Sequence, residues 1–132
     1  MNRKLTTMKP ATLIARLLLG AIFVIFGLNF WLKFIPIPAP AEGTPADGFM
    51  DVLFITGYLA AVKVLEILGG LLVWSGKFTG AGLLILGPII LNIMMYDFFI
   101  TKAFNPVSTV AAILALFLLW TKRERFVAFA TA

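Results

Sequence analysis

The sequence predicts an all-α integral membrane protein, a four-helix bundle formed by one domain. Of its 132 residues, 61% are hydrophobic and only 13% are charged, whereas soluble domains have roughly 45–50% apolar and about 25% charged residues. A soluble fold this small could not bury so much apolar surface. Four segments also approach the roughly 20 apolar residues of a transmembrane helix, and with short loops they occupy the whole chain.

The predicted spans are 11–32, 52–74, 81–100 and 107–121, and an outer loop covers 33–51. The first apolar run is too long for a signal peptide and has no clear cleavage site after it, so we expect an uncleaved span. Four prolines exclude a regular helix through the outer loop, which makes that loop the expected lid or contact surface. In the third span, Pro88 is expected to bend the helix.

The distribution of basic residues predicts the orientation of the chain. With the N-terminus inside, the outer loops contain only Lys33 and Lys102, and the inner side holds Arg3, Lys4, Lys9, Arg16, Lys77, Lys122, Arg123 and Arg125. Basic residues are enriched in cytoplasmic loops. We therefore expect both termini in the cytoplasm and the protein in the inner (cytoplasmic) membrane. The same rule accounts for the net charge of +5. We therefore do not expect nucleic acid as a partner.

The composition excludes several kinds of chemistry. The chain has no cysteine and no histidine, which removes thiol redox chemistry, histidine-ligated haem, iron–sulfur clusters and ordinary zinc sites. No phosphate-binding loop or nucleophile constellation is present. We predict no metal and no covalent cofactor, and the sequence identifies no catalytic residue. Because no residue type here can itself move electrons, direct catalysis by this chain alone is the less favoured hypothesis.

Two charges lie inside the second predicted span. Lys63 and Glu66 are three residues apart and therefore share one face of a helix. A lysine or aspartate at the centre of a span costs about 2.5–3.5 kcal/mol, and such residues face the bundle interior and mark a functional site by default. One interpretation is a structural pair that holds helices together. The other is a polar pocket that binds a small molecule or a lipid headgroup, or that relays protons.

Depth along the helices suggests further members of this cluster. At about 1.5 Å per residue, Arg16 and Glu66 differ in depth by only a few ångströms, and Lys63 could reach toward the third span. We therefore predict a polar ladder through the bundle, formed by Arg16, Glu66, Lys63, Asn92 and Asp97.

Each further member has an alternative interpretation. Arg16 could extend to the headgroups, Asn92 could bond across helices, and Asp97 could lie in outer water. Asn29, near the outer end of the first span, is a weaker candidate for the pocket.

Two stretches resemble the DoxX-like family of small membrane proteins. "ARLLLGAIFVIFGLNFWLKF" resembles the first span of the family, and "LEILGGLLVWSGKFTGAGLLILGPIILNI" resembles its central part, in which a glutamate precedes paired glycines and the third span contains a proline. The resemblance implies a four-helix membrane bundle with Arg16 and Glu66 at characteristic polar positions. Family members are associated with redox membrane systems, including a quinone-linked thiosulfate oxidoreductase subunit. The family pattern does not place Lys63.

Three functional hypotheses follow from these observations. The first is a redox-linked protein whose polar cluster holds a quinone or a similar small molecule; a lipid is the other expected ligand. The second is a non-catalytic accessory subunit that docks a larger membrane complex. The third is a transporter, which a broken third span and midplane charges would fit. The expected partners are membrane lipid and either a larger complex or further copies of this chain.

Overall fold

The computed structural model describes the backbone of residues 3–131 and the side chains of residues 10–131. Every regular element in this range is helical, which confirms the all-α class. A π-helical turn, Tyr96–Thr101, follows the fourth helix directly. The helices are α1 (Arg3–Leu32), α2 (Pro45–Ile55), α3 (Tyr58–Ser75), α4 (Thr79–Met95), α5 (Pro106–Thr121) and α6 (Arg123–Ala130).

Several of these helices are suited to a membrane. In the described range, three stretches are long and apolar enough to cross one, namely Pro10–Leu32, Tyr58–Ser75 and Thr79–Thr101. Helices α5 and α6 make a fourth candidate only when they are taken together, and they are bent by 75° relative to each other. Four spans were predicted, and the structure has three to four helices that are long and apolar enough to cross a membrane, as in a membrane protein.

Four helices enclose the core. Helix α1 packs against α3 and α5, and α4 packs against the same two helices. Each of the four contributes a fully buried side chain to the centre, namely Leu19, Val73, Leu86 and Leu118. Leucine, isoleucine and phenylalanine side chains cover much of the outside. An apolar outside around an apolar core is the pattern of a helix bundle whose solvent is lipid.

The predicted start of the second span is wrong. The prediction treated 52–74 as one helix, but the chain breaks after α2, and α3 begins only at Tyr58. At the break, Gly57 has a φ of +82°, a left-handed conformation that ends a helix and that glycine adopts without steric cost. We call the end of the bundle at this break the α2 end, and the opposite end the α6 end.

The structure also corrects the predicted loop 33–51, because α2 occupies its last part. Pro45 is the first residue of α2, a position where the missing proline N–H costs nothing. The Thr44 side chain caps the helix, since its Oγ1 accepts a hydrogen bond from the Asp47 N–H at 3.3 Å. Three prolines interrupt the chain as predicted, but the fourth begins a helix.

We expect Gly57→Ala to lower the free energy of unfolding by about 1–2 kcal/mol, because a side chain at positive φ strains the backbone. Among the described residues, and apart from its chain neighbours, nothing lies within 4 Å of a Cβ built at this position, so crowding would not contribute. Gly48→Ala, in the middle of α2, is the matched control, since its Cβ also enters open space and its φ is not positive. Chemical denaturation followed by circular dichroism would separate the two variants. Equal effects at both positions would contradict the proposed strain.

Helix α2 is held to the rest of the bundle by aromatic contacts. The ring centroids of Phe49 and Tyr96 lie 5.4 Å apart, and those of Phe54 and Phe30 lie 6.1 Å apart. These contacts attach α2 to the π-helical turn and to α1, and α2 also packs against α3. Helix α2 thus ties together three elements at one end of the bundle.

Pro88 lies inside α4, which continues on both sides of it from Thr79 to Met95. The change from α-helical geometry comes later, in the π-helical turn.

Candidate functional site

The Lys63–Glu66 pair forms on α3, as the spacing predicts. The Lys63 Nζ lies 3.3 Å from the Glu66 Oε2 and 3.5 Å from its Oε1. Among the side chains of residues 10–131 it is the only ion pair. The Glu66 side chain is 4% exposed and that of Lys63 is 22% exposed. One charge is therefore enclosed by protein, while the other can still be reached from outside the bundle.

The break at Gly57 changes the depth of the pair. Helix α3 is about 27 Å long, and at about 1.5 Å per residue Lys63 lies about 7.5 Å and Glu66 about 12 Å from its first residue. The prediction placed Lys63 at the centre of the span because it counted the last residues of α2, from Val52 on, as part of the same helix. In the structure Glu66 is near the centre, and Lys63 is nearer the α2 end.

Glycines on the same face of α3 explain why Glu66 is buried. A Cβ on Gly70 would lie 2.9 Å from the carbonyl oxygen of Gly20 on α1, and a Cβ on Gly69 would lie 2.7 Å from the Leu86 side chain on α4. Both neighbouring helices can approach closely only because these side chains are absent. Helices α1 and α4 come closest to α3 one turn after Glu66, and they thereby enclose its carboxylate.

Arg16 does not join this pair. Its Nε donates to the carbonyl oxygen of Val73 and its Nη2 to that of Trp74, both at 3.2 Å. These carbonyls belong to the last turn of α3, where no further helical N–H can reach them. In return, the Trp74 Nε1 donates to the carbonyl oxygen of Leu17 at 2.8 Å. Arg16 therefore caps the C-terminus of α3, and the predicted contact with Glu66 is not formed.

Asp97 and Asn29 also have local partners near the α2 end. The Ser108 hydroxyl donates to the Asp97 Oδ2 at 2.6 Å, which joins the π-helical turn to α5. The buried Asn29 accepts from the Ile35 N–H at 2.7 Å and donates to the Ile35 carbonyl oxygen at 2.9 Å. Asn29 therefore fixes the chain as it leaves α1.

Asn92 lies on the outside of α4. Its side chain is exposed, and it forms no hydrogen bond with any side chain or backbone group that the structure describes. The ladder consequently divides into separate contacts, and only Lys63 and Glu66 are brought together. Depth alone could not predict this outcome, because the direction of a side chain around its helix decides which neighbour it meets.

The sequence did not predict a cavity at the α2 end. Its volume is about 430 Å³. On one side it is bounded by the proline-containing loop and the start of α2, and on the other side by the π-helical turn. Its lining includes Pro38, Pro40, Pro45, Tyr96 and Ile100. It is an open cleft, and therefore differs from the enclosed pockets that typically hold small molecules. The prolines of the loop were the only sequence signal for it.

Residues 10–131 hold no group of three or more acidic side chains arranged for a metal ion. The chain matches no protein-family model, no curated protein and no solved structure. The resemblance to the DoxX-like family therefore stays a prediction.

Proposed function

We propose that this chain is a DoxX-like four-helix protein of the cytoplasmic membrane, with both termini in the cytoplasm, that binds a quinone-type molecule at Lys63. The supporting observation is the ion pair itself, with Glu66 enclosed and Lys63 partly exposed. A charge within a span is costly and is retained where it serves a function. The partly exposed ammonium can be approached by a molecule dissolved in the bilayer.

The chemistry of the pair suits a quinone. The Lys63 ammonium can donate a hydrogen bond to a quinone carbonyl oxygen, and the Glu66 carboxylate holds that ammonium in place from the protein side. A carboxylate next to a reducible carbonyl can also accept or supply a proton. No side chain here transfers electrons, so a redox partner must supply them. The role of this chain is to hold and orient the quinone.

Binding of a short-chain ubiquinone to the purified protein in nanodiscs tests this proposal. We expect saturable binding to the native chain and at least a tenfold loss for Lys63→Leu/Glu66→Met. Lys33→Gln is the control, since it removes an exposed lysine outside the helices and should leave binding unchanged. A folded double variant that binds ubiquinone as tightly as the native chain would refute the proposal. Lys63→Arg, which keeps the charge, should retain most of the binding.

A second candidate function is that of an accessory subunit, and Asn92 supports it. An exposed amide within an apolar span gains hydrogen bonds when another helix packs against it, for about 0.6–2 kcal/mol. A partner subunit or a second copy of this chain would supply that helix. We expect the gently purified native protein to elute as a complex, and Asn92→Leu to shift it toward the monomer. A native protein that is already monomeric and uniform would contradict this function.

A further inference from the structure

A groove lies at the α6 end of the bundle, apart from the sites described above. It forms because α6 turns away from α5 by 75° and comes to lie beside the start of α4. The groove has a volume of about 180 Å³. It is lined by Gly80 and Leu84 from α4, by Lys122 at the bend, and by Arg125, Phe126 and Phe129 from α6.

Two basic residues, Lys122 and Arg125, line this groove. Burial lowers the pKa of Lys122 below its usual value, and the nearby charges of Arg125 and Arg16 lower it further. Arg16 is occupied by the carbonyl oxygens at the end of α3. Neither Lys122 nor Arg125 has an ion-pair partner among the side chains of residues 10–131, and Glu124, on the same helix, forms no ion pair. An anion bound in the groove would complement these two charges.

The remaining walls of the groove are apolar. Leu84, Phe126 and Phe129 supply them, and the Phe129 side chain is 75% exposed in the protein alone. The volume is below the roughly 300–1,000 Å³ of pockets that enclose a whole small molecule. The groove is thus sized for part of a larger molecule that has both an anionic group and an apolar chain.

We propose that this groove binds an anionic glycerophospholipid of the surrounding bilayer. Lys122 and Arg125 contact the phosphate, and the aromatic side chains of α6 contact the first part of one acyl chain. The bend follows directly after the apolar helix α5, and the proposal places it at the level of the lipid headgroups. Clusters of basic residues next to a span attract anionic lipids in this position. The inference requires only that the helices span a membrane and is independent of quinone binding.

Native mass spectrometry with two lipids tests the proposal. Dioleoyl phosphatidylglycerol and dioleoyl phosphatidylcholine share their acyl chains and differ in net charge. The test variant is Lys122→Gln/Arg125→Gln. The matched control is Lys77→Gln/Arg123→Gln, which also removes two positive charges. In the native chain Lys77 lies over the Phe78 ring and Arg123 over the Trp120 ring, and neither lines the groove.

We expect the native protein to prefer phosphatidylglycerol, and the test variant to lose affinity for it on the order of tenfold. The control should lose less than about threefold, and neither variant should change the binding of phosphatidylcholine. Equal affinity of the native protein for both lipids would overturn the proposal, as would equal losses in test and control variants.

Two further measurements test lipid binding even if the Lys122→Gln/Arg125→Gln variant does not fold. Phe129→Ala removes an exposed wall of the groove and should weaken phosphatidylglycerol binding severalfold without disturbing the core. Inorganic phosphate in large excess should leave bound phosphatidylglycerol in place. Displacement of the lipid by phosphate would show a site for the free anion and would overturn the lipid assignment.

Discussion

Lys63→Leu is expected to lower the free energy of unfolding by about 3 kcal/mol, because it leaves the Glu66 carboxylate enclosed without a partner. The Glu66 side chain is 4% exposed, and Lys63 is the residue that it contacts as an ion pair. Glu66→Leu should cost less, since the long Lys63 side chain is partly exposed and can move its ammonium toward a polar surface. Reversible unfolding in mixed detergent micelles, followed by circular dichroism, would measure both changes.

The double variant Lys63→Leu/Glu66→Met serves as the control for this prediction. Replacing both members of a buried ion pair by apolar side chains is often neutral or stabilising, so its stability should return to within about 1 kcal/mol of the native value. A double variant as unstable as Lys63→Leu would show that packing, and not the unpaired charge, causes the loss. If Glu66→Leu lowered the free energy of unfolding more than Lys63→Leu, this would contradict the explanation that Glu66 is the more deeply buried member of the pair.

Gly82→Ala is expected to lower the free energy of unfolding by about 2 kcal/mol, since it forces α3 and α4 apart. A Cβ at Gly82 would lie 2.7 Å from the carbonyl oxygen of Gly69 and 2.8 Å from the backbone nitrogen of Val73. Backbone atoms at such distances can yield only if the whole helix moves. The same unfolding experiment would measure the change.

Gly80→Ala is the comparison, two residues earlier on the same helix. Apart from its chain neighbours and the nearby backbone of α4, no described part of the chain lies within 4 Å of a Cβ built there. Because alanine favours a helix more than glycine does, this variant should be neutral or slightly stabilised. A loss at Gly80 as large as that at Gly82 would refute close backbone packing as the cause.

Hydropathy was enough to predict the helices that form the core. The first, third and fourth predicted spans correspond to α1, to α4 with its π-helical turn, and to α5. The spacing of Lys63 and Glu66 was enough to predict their contact, because positions three apart on one helix meet whatever surrounds them. Local and periodic features of the chain were therefore predictable.

Features that depend on a single backbone angle, or on the direction in which a side chain points from its helix, were not predictable from hydropathy and spacing. Apolar residues continue on both sides of Gly57, so hydropathy does not show the break that its positive φ creates. The partners of Arg16 are backbone carbonyls, which no side-chain pattern reveals. Asn92 points outward, and only the packing of α4 against its neighbours determines that direction.

The contacts between Arg16 and Trp74 have a consequence for how the bundle can move. Each residue donates to the backbone of the opposite helix, so α1 and α3 hold each other through three hydrogen bonds at the α6 end. Sliding one helix past the other by a single turn, about 5.4 Å, would break all three at once. These bonds therefore favour one register of α1 against α3, and any opening of the bundle by sliding these helices would have to break them together.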